Sequence, residues 1–188
     1  IKPAGGMASM REDMAGAAAV IGAMRALAGR KARVDAVGVV PLAENMLSGR
    51  AYRPGDVIRT MSGRTVEVID TDAEGRLVLA DALYYARDRF RPRSLIDLAT
   101  LTGSIVAALG HEYAGLFGPD DQLTEALMRS GEAVGDRLWR MPLSEGYETG
   151  ITSRVADLRH CASPGLAPDA CHAARFLGHF AGAFETAP

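Results

Sequence analysis

The sequence predicts an α/β fold, and three observations carry that expectation. Helix-like and strand-like stretches alternate along the chain. The Val-rich run Arg33–Leu42 is apolar without alternation, as an interior strand covered on both faces would be. At Asp70–Arg76 and again at Thr100–Gly103, a polar turn leads from a strand into an apolar helix. With 188 residues, 48% of them hydrophobic, the chain is one domain's worth and long enough to bury a sizeable core.

In chain order, Ile1–Ser9 holds glycines and a proline without periodicity and reads as a loop leading into a helix. From Asp13 to Ala28 small and apolar residues occupy nearly every side, so this helix is expected to be largely buried. Asp13 stands at its start, where it either caps free backbone N–H groups or serves as a ligand. The strand Arg33–Leu42 follows, then a long polar connection, Ala43–Asp56, with Tyr52 as its anchor. Val57–Thr60 and Thr65–Ile69 flank a Ser62-Gly63 turn and read as a hairpin. A helix over Leu77–Phe90 and a strand over Arg93–Ala99 come next, then the Thr100–Gly103 turn into a helix that runs through Leu109. A strand near Tyr113–Phe117, a helix near Asp121–Val134 and Trp139 ahead of Pro142 follow. Arg159–Asp169 is turn-rich, and an apolar helix runs from Ala170 to about Phe184. No internal repeat is present.

Charge and composition exclude several function classes. A net charge of −2 without a Lys- or Arg-rich block offers no general attraction for nucleic acid or anionic lipid. No apolar run approaches a membrane span, and the start has no signal-peptide layout. Cys161 and Cys171 lack metal-type pair spacing, so a reducing, cytoplasmic location is expected. His111, His160, His172 and His179 show no i, i+4 pair with an accompanying glutamate, and they read as surface or satisfied core histidines. Lys2 and Lys31 are the only lysines among many arginines, so an ammonium retained at Lys2 suits a role that a guanidinium cannot fill.

The chemistry centres on Asp70-Thr71-Asp72-Ala73-Glu74-Gly75-Arg76. In an extended segment Asp72 and Glu74 point to one side, and Arg76 continues the row. Converging carboxylates beside small residues suit a divalent cation. The plainer reading is a helix start, where acidic side chains complement the helix dipole. The position at a strand's carboxyl end is where ligands gather in open α/β sheets.

Beyond this turn, a collinear series of motifs resembles the leucyl aminopeptidase (cytosol aminopeptidase) family. It comprises Lys2-Pro3, Asp13-Met14 with Gly16-Ala17-Ala18-Ala19, Glu44-Asn45-Met46 and Tyr52-Arg53-Pro54-Gly55-Asp56. It continues through Asp70–Leu83, Ala99-Thr100-Leu101-Thr102-Gly103 and Trp139-Arg140-Met141-Pro142-Leu143. The family usually has Asn where Asp70 stands. The resemblance implies a three-layer α/β/α domain with a mixed, mostly parallel central sheet. It also implies a dinuclear-metal exopeptidase that hydrolyses N-terminal leucine and similar residues from peptides, using a metal-bridging water.

Carried across residue by residue, Asp13 and Asp72 match metal ligands and Glu74 matches the carboxylate bridging both ions. Lys2 matches the lysine that polarises the scissile carbonyl, and Arg76 the arginine that holds a bicarbonate general base. Met10, Thr100 and Gly103 match positions lining the pocket for the first side chain. Manganese or zinc is the implied metal, with magnesium or cobalt also compatible with carboxylate-rich sites. Three carboxylates are few for two divalent ions. The resemblance places a further lysine and an aspartate upstream, so residues 1–188 are expected to be a partial catalytic domain, without the N-terminal domain, the first ligand segment and the closing strand segment. The start on Ile rather than Met agrees with that expectation. A homo-hexamer of the full-length protein is implied, with peptides bearing a free N-terminus as partners. The competing reading is a truncated, non-catalytic family member acting as a scaffold or regulatory binding protein.

Overall fold

The computed structural model describes residues 4–162 and 168–183. The first elements are a short helix α1 (Ala4–Met7), a 3-10 turn (Ala8–Glu12) and helix α2 (Ala15–Gly29). The expected burial of α2 is not what the structure has. Gly16 alone is buried on this helix and Ile21 is 59% exposed, because α2 is covered on one side only, by residues near Leu98 and Gly38.

The strands expected at 33–42 and 93–99 are likewise corrected. Both segments pair with no strand among the described residues, and Val34 and Val37 are more than half exposed. A strand is defined by the ladder that satisfies its backbone, and an apolar composition without a paired neighbour does not make one.

The hairpin forms as expected. Strand β1 (Val57–Arg59) pairs antiparallel with β2 (Thr65–Glu67), with Ile58 opposite Val66. Gly63 takes the left-handed φ of 87° that the tight turn requires. A strand β5 (Leu158–Arg159), not foreseen from sequence, lies parallel to β2, so the sheet order is β1-β2-β5. Asp157 fixes this register, its carboxylate accepting hydrogen bonds from both the N–H and the hydroxyl of Thr65 at 2.7 Å. These bonds hold the Asp157 pKa below the usual carboxylate range.

Helix α3 (Gly75–Phe90) buries Leu77, Ala80, Leu83 and Ala86, a stripe at i, i+3 spacing along the side that faces the core. It ends at Arg91, which adopts left-handed geometry. A short helix α4 (Ser104–Leu109) precedes a parallel pair, β3 (Ala114–Leu116) and β4 (Leu138–Arg140). Helix α5 (Asp121–Val134) connects them, so this region is a βαβ unit. Asp120 caps α5 by accepting the Leu123 N–H at 3.0 Å.

A second 3-10 turn (Glu145–Gly150) leads toward β5 and the final helix, α6 (Asp169–Ala181). The core lies where α3 and α6 meet the three-stranded sheet, with Phe176, Phe180, Ile151 and Val66 fully buried. Glu148 straps the 3-10 turn to α6, accepting from Arg175 Nε at 2.6 Å and bonding His179 Nε2 at 2.8 Å. The architecture is mixed α/β with two small sheets among the described residues.

Candidate active site

Residues 70–74 form a closed turn, which corrects the extended row expected for Asp72, Glu74 and Arg76. The Asp70 carboxylate accepts the Asp72 N–H at 2.9 Å, and its carbonyl accepts the Ala73 N–H at 3.2 Å. Asn45 donates its side-chain amide to the Thr71 carbonyl at 3.2 Å, tying the long 43–56 connection to the turn. Glu74 already has helical φ and ψ of −69° and −29°.

From there the chain turns by about 100° per residue, so Glu74 and Arg76 diverge by about 200° around the helix axis. Glu74 lines a cleft of about 470 Å³ together with Asp13, Gly75 and Thr100, against apolar walls that include Val20, Val37 and Leu98. Arg76, only 2% exposed, faces the other way. Its Nη1 donates to the His160 carbonyl at 3.1 Å, and its Nη2 donates to the Asp169 carboxylate at 3.1 and 3.3 Å.

Asp13 does not cap α2, and Met14, at the capping position before Ala15, makes no side-chain cap bond either. The Asp13 carboxylate instead accepts a 2.8 Å hydrogen bond from the Thr100 hydroxyl. This contact joins the start of α2 to the end of the 95–101 segment. It depends on Gly16, because a Cβ there would lie 2.1 Å from the Leu98 carbonyl oxygen.

Among the other expected residues, Met10 is half-buried and its carbonyl accepts the Asp13 N–H at 3.0 Å. Gly103 is exposed at the start of α4, Asp72 is exposed on the turn, and neither lines the cleft. Lys2 lies outside the described residues.

The donor set has a specific gap. Glu74 Oε2 is buried and has no hydrogen-bond partner, and the same is true of the Tyr52 hydroxyl on the cleft wall. Burial, then the charges of Glu74 and Asp70, push the Tyr52 pKa up, so the phenol keeps its proton. A buried carboxylate oxygen without a donor calls for an ion or a ligand group beside it. Asp13 and Glu74 therefore suit a hard or borderline cation as part of a donor set, although no cluster of three His, Cys, Asp or Glu side chains forms among the described residues. The sequence marks Tyr52 as an anchor within the Tyr-Arg-Pro-Gly-Asp motif, and His160 is the satisfied core histidine that the sequence allows, but no local pattern signals its contact with the acidic turn.

Residues 1–187 match the catalytic domain of the cytosol aminopeptidase family. The chain belongs to this family. A probable cytosol aminopeptidase of Wolbachia pipientis is 56% identical over 181 residues, covering 96% of this chain and 36% of that protein. Another, from Caulobacter vibrioides, is 60% identical over 160 residues, covering 85% of this chain and 32% of that protein. Among solved structures, the cytosol aminopeptidase from Coxiella burnetii superposes with a TM-score of 0.85 at 41% identity, over 96% of this chain and 39% of that one. A mutant tomato leucine aminopeptidase gives 0.81 at 44% identity, over 91% and 34%. The chain thus spans roughly a third of the length of these cytosol aminopeptidases. No described helix is long and apolar enough to cross a membrane.

Proposed function

We propose that this chain supplies part of the centre of a dinuclear-metal aminopeptidase that removes leucine and similar N-terminal residues from peptides. The observation that supports this reading is the unpartnered, buried Glu74 Oε2 in the cleft that Asp13 also lines. Asp13 and Glu74 would hold divalent cations, manganese or zinc, in the cleft; Asp72 would join them by rotating its exposed side chain in from the turn, with the remaining donors coming from elsewhere in a longer protein. When bound, such ions supply Lewis acidity toward a peptide carbonyl and activation of water.

The chain's own residues do the positioning. The Thr100 hydroxyl fixes the orientation of the Asp13 carboxylate, and the apolar cleft walls would receive an aliphatic side chain. Thr100 on the cleft wall is the proposed contact of that first side chain, with Met10 and Gly103, which lie outside the cleft lining, contributing from beyond its rim. Lys2 would stabilise the developing oxyanion, an effect worth about 2.7–4 kcal/mol for a well-placed donor. Arg76, matched to the arginine that holds a bicarbonate general base, would have to turn its guanidinium from His160 and Asp169 toward the cleft to take that role. In the full-length protein the unpaired segments at 33–42 and 93–99 would join a mixed central sheet of a three-layer α/β/α domain. That protein would be cytoplasmic and assemble as a hexamer.

Titration of the full-length protein with Mn²⁺, followed by a leucine p-nitroanilide assay, tests this. Two tightly bound ions with turnover are expected, and Glu74→Ala should abolish both turnover and stable occupancy of the pair. Absence of tight metal binding in the full-length protein, or retained turnover in Glu74→Ala, would refute the reading and favour a non-catalytic scaffold.

A further inference from the structure

His160 has no solvent exposure and stands on the side of the acidic turn away from the cleft. Its Nε2 lies 2.7 Å from the Asp70 carbonyl oxygen, and its Nδ1 lies 3.2 Å from the Ile69 amide nitrogen. Nδ1 is also 3.1 Å from the Glu67 carbonyl, which accepts the His160 backbone N–H at 3.3 Å; a proton on Nδ1 would satisfy that contact alone of the three, whereas a proton on Nε2 satisfies the other two. Burial pushes the imidazole pKa down, against the opposing pull of the Asp70 and Glu67 carbonyls, so the ring carries a single proton. With the proton on Nδ1, Nε2 and the Asp70 oxygen would face each other as two acceptors. With the proton on Nε2, both contacts become hydrogen bonds: Nε2–H donates to Asp70, and Nδ1 accepts from Ile69.

The backbone of the same residue completes the arrangement. The His160 carbonyl accepts from Arg76 Nη1 at 3.1 Å, so one residue grips the turn at its entrance, residues 69 and 70, and at its exit, residue 76. Between those points lie Asp72 and Glu74. We infer that His160 is a positioning residue, a clamp whose two ring nitrogens and carbonyl set the conformation of the 70–76 turn and so the placement of its carboxylates. The structural part of this inference stands by itself; its consequence for metal binding rests on the function proposed above.

The two ring nitrogens have separable roles, which makes the clamp testable. In His160→Asn, the side-chain oxygen can replace Nδ1 as acceptor for Ile69. In His160→Gln, the longer amide can replace the Nε2 donor to Asp70, whose carbonyl and carboxylate in turn hold the amides of Ala73 and Asp72. His160→Ala can do neither. Site-resolved amide hydrogen exchange on the chain is the readout, with Val66→Ala as a control that loosens the same core without touching the turn.

Exchange at Ile69 should rise by about tenfold in the Ala and Gln variants and stay near wild type in Asn. Exchange at Asp72 and Ala73 should rise by a similar factor in Ala and stay low in Gln. Equal acceleration at the turn and at the core amides of Leu83 and Phe176, as in Val66→Ala, would overturn the clamp, as would identical profiles in Asn and Gln. Mn²⁺ affinity of the full-length protein, read by electron paramagnetic resonance, supplies the second arm. His160→Ala should weaken it by about tenfold or more, and Gln should restore most of the loss. Turn amides that open without any change in Mn²⁺ affinity would overturn the positioning role. If the wild type binds no Mn²⁺, the metal reading fails, and the exchange pattern still decides the clamp.

Discussion

Gly16→Ala should destabilise the protein, although helix propensity alone says the opposite. Replacing Gly by Ala within a helix is favourable by up to about 0.8–1.0 kcal/mol. In the structure, however, a Cβ at position 16 would lie 2.1 Å from the Leu98 carbonyl oxygen, 2.7 Å from the Leu98 carbonyl carbon and 3.0 Å from the Ala99 Cα. A carbon-to-oxygen contact normally relaxes to about 3.3–3.6 Å, so α2 and the 95–101 segment must separate by about 1.2 Å. The obstructing atoms are backbone, which no rotamer change can relieve. Forced insertions of this kind typically cost about 1–3 kcal/mol, which outweighs the propensity gain.

Gly22→Ala is the matched control, since nothing lies within 4 Å of its added methyl. Urea unfolding of the two variants beside the wild type should show opposite shifts in midpoint at unchanged slope, Gly22→Ala upward and Gly16→Ala downward. Equal upward shifts would refute the close approach and, with it, the placement of Asp13 against Thr100. A displacement of that size would also break the 2.8 Å Thr100–Asp13 hydrogen bond, which spans the same junction.

Two other perturbations separate the core from its electrostatic strap. Phe176→Ala removes a side chain with no solvent exposure, packed 5.1 Å from the Phe180 ring centroid, and should cost about 3–5 kcal/mol in urea unfolding. Glu148 controls part of the acid stability. Burial alone would raise its pKa, but the hydrogen bond from Arg175 and the charge of His179 overcome it and hold the carboxyl below its ordinary 4.5. A depressed carboxylate stabilises the fold fully above its unfolded pKa, and the contribution disappears as pH falls through the folded value. Stability measured from pH 6 downward should therefore drop below about 4.5, and Glu148→Gln should flatten that part of the profile while lowering the plateau above it.

What the sequence made legible was local. Helix α5 was expected at Asp121–Val134 and is found there, because an Asp at the cap and a Gly beyond the end bracket an amphipathic run. The hairpin around Gly63 was readable for the same kind of reason. The failures share a different cause. Arg33–Leu42 and Arg93–Ala99 have strand composition, but a ladder needs a neighbour, and composition does not say whether one is present. Strand β5 has two residues and owes its register to Asp157 and Thr65, 92 positions apart, a pairing that no local pattern encodes. The resemblance to cytosol aminopeptidases reached further than periodicity did, since motif order carries information about a site that spacing along one segment does not.

The acidic turn shows how that difference bears on mechanism. With period two, Asp72, Glu74 and Arg76 would share one face and their charges would meet. The turn instead closes on Asp70 and enters α3 at Glu74, so the period changes within the motif. Glu74 then faces the cleft with a free oxygen, and Arg76 faces the interior, where His160 and Asp169 hold both Nη groups. Opposite orientation is what allows a carboxylate to be left underpartnered without loosening the segment that carries it. The buried guanidinium and imidazole anchor the turn from behind, and the unsatisfied acceptor is presented in front, where a cation can complete it.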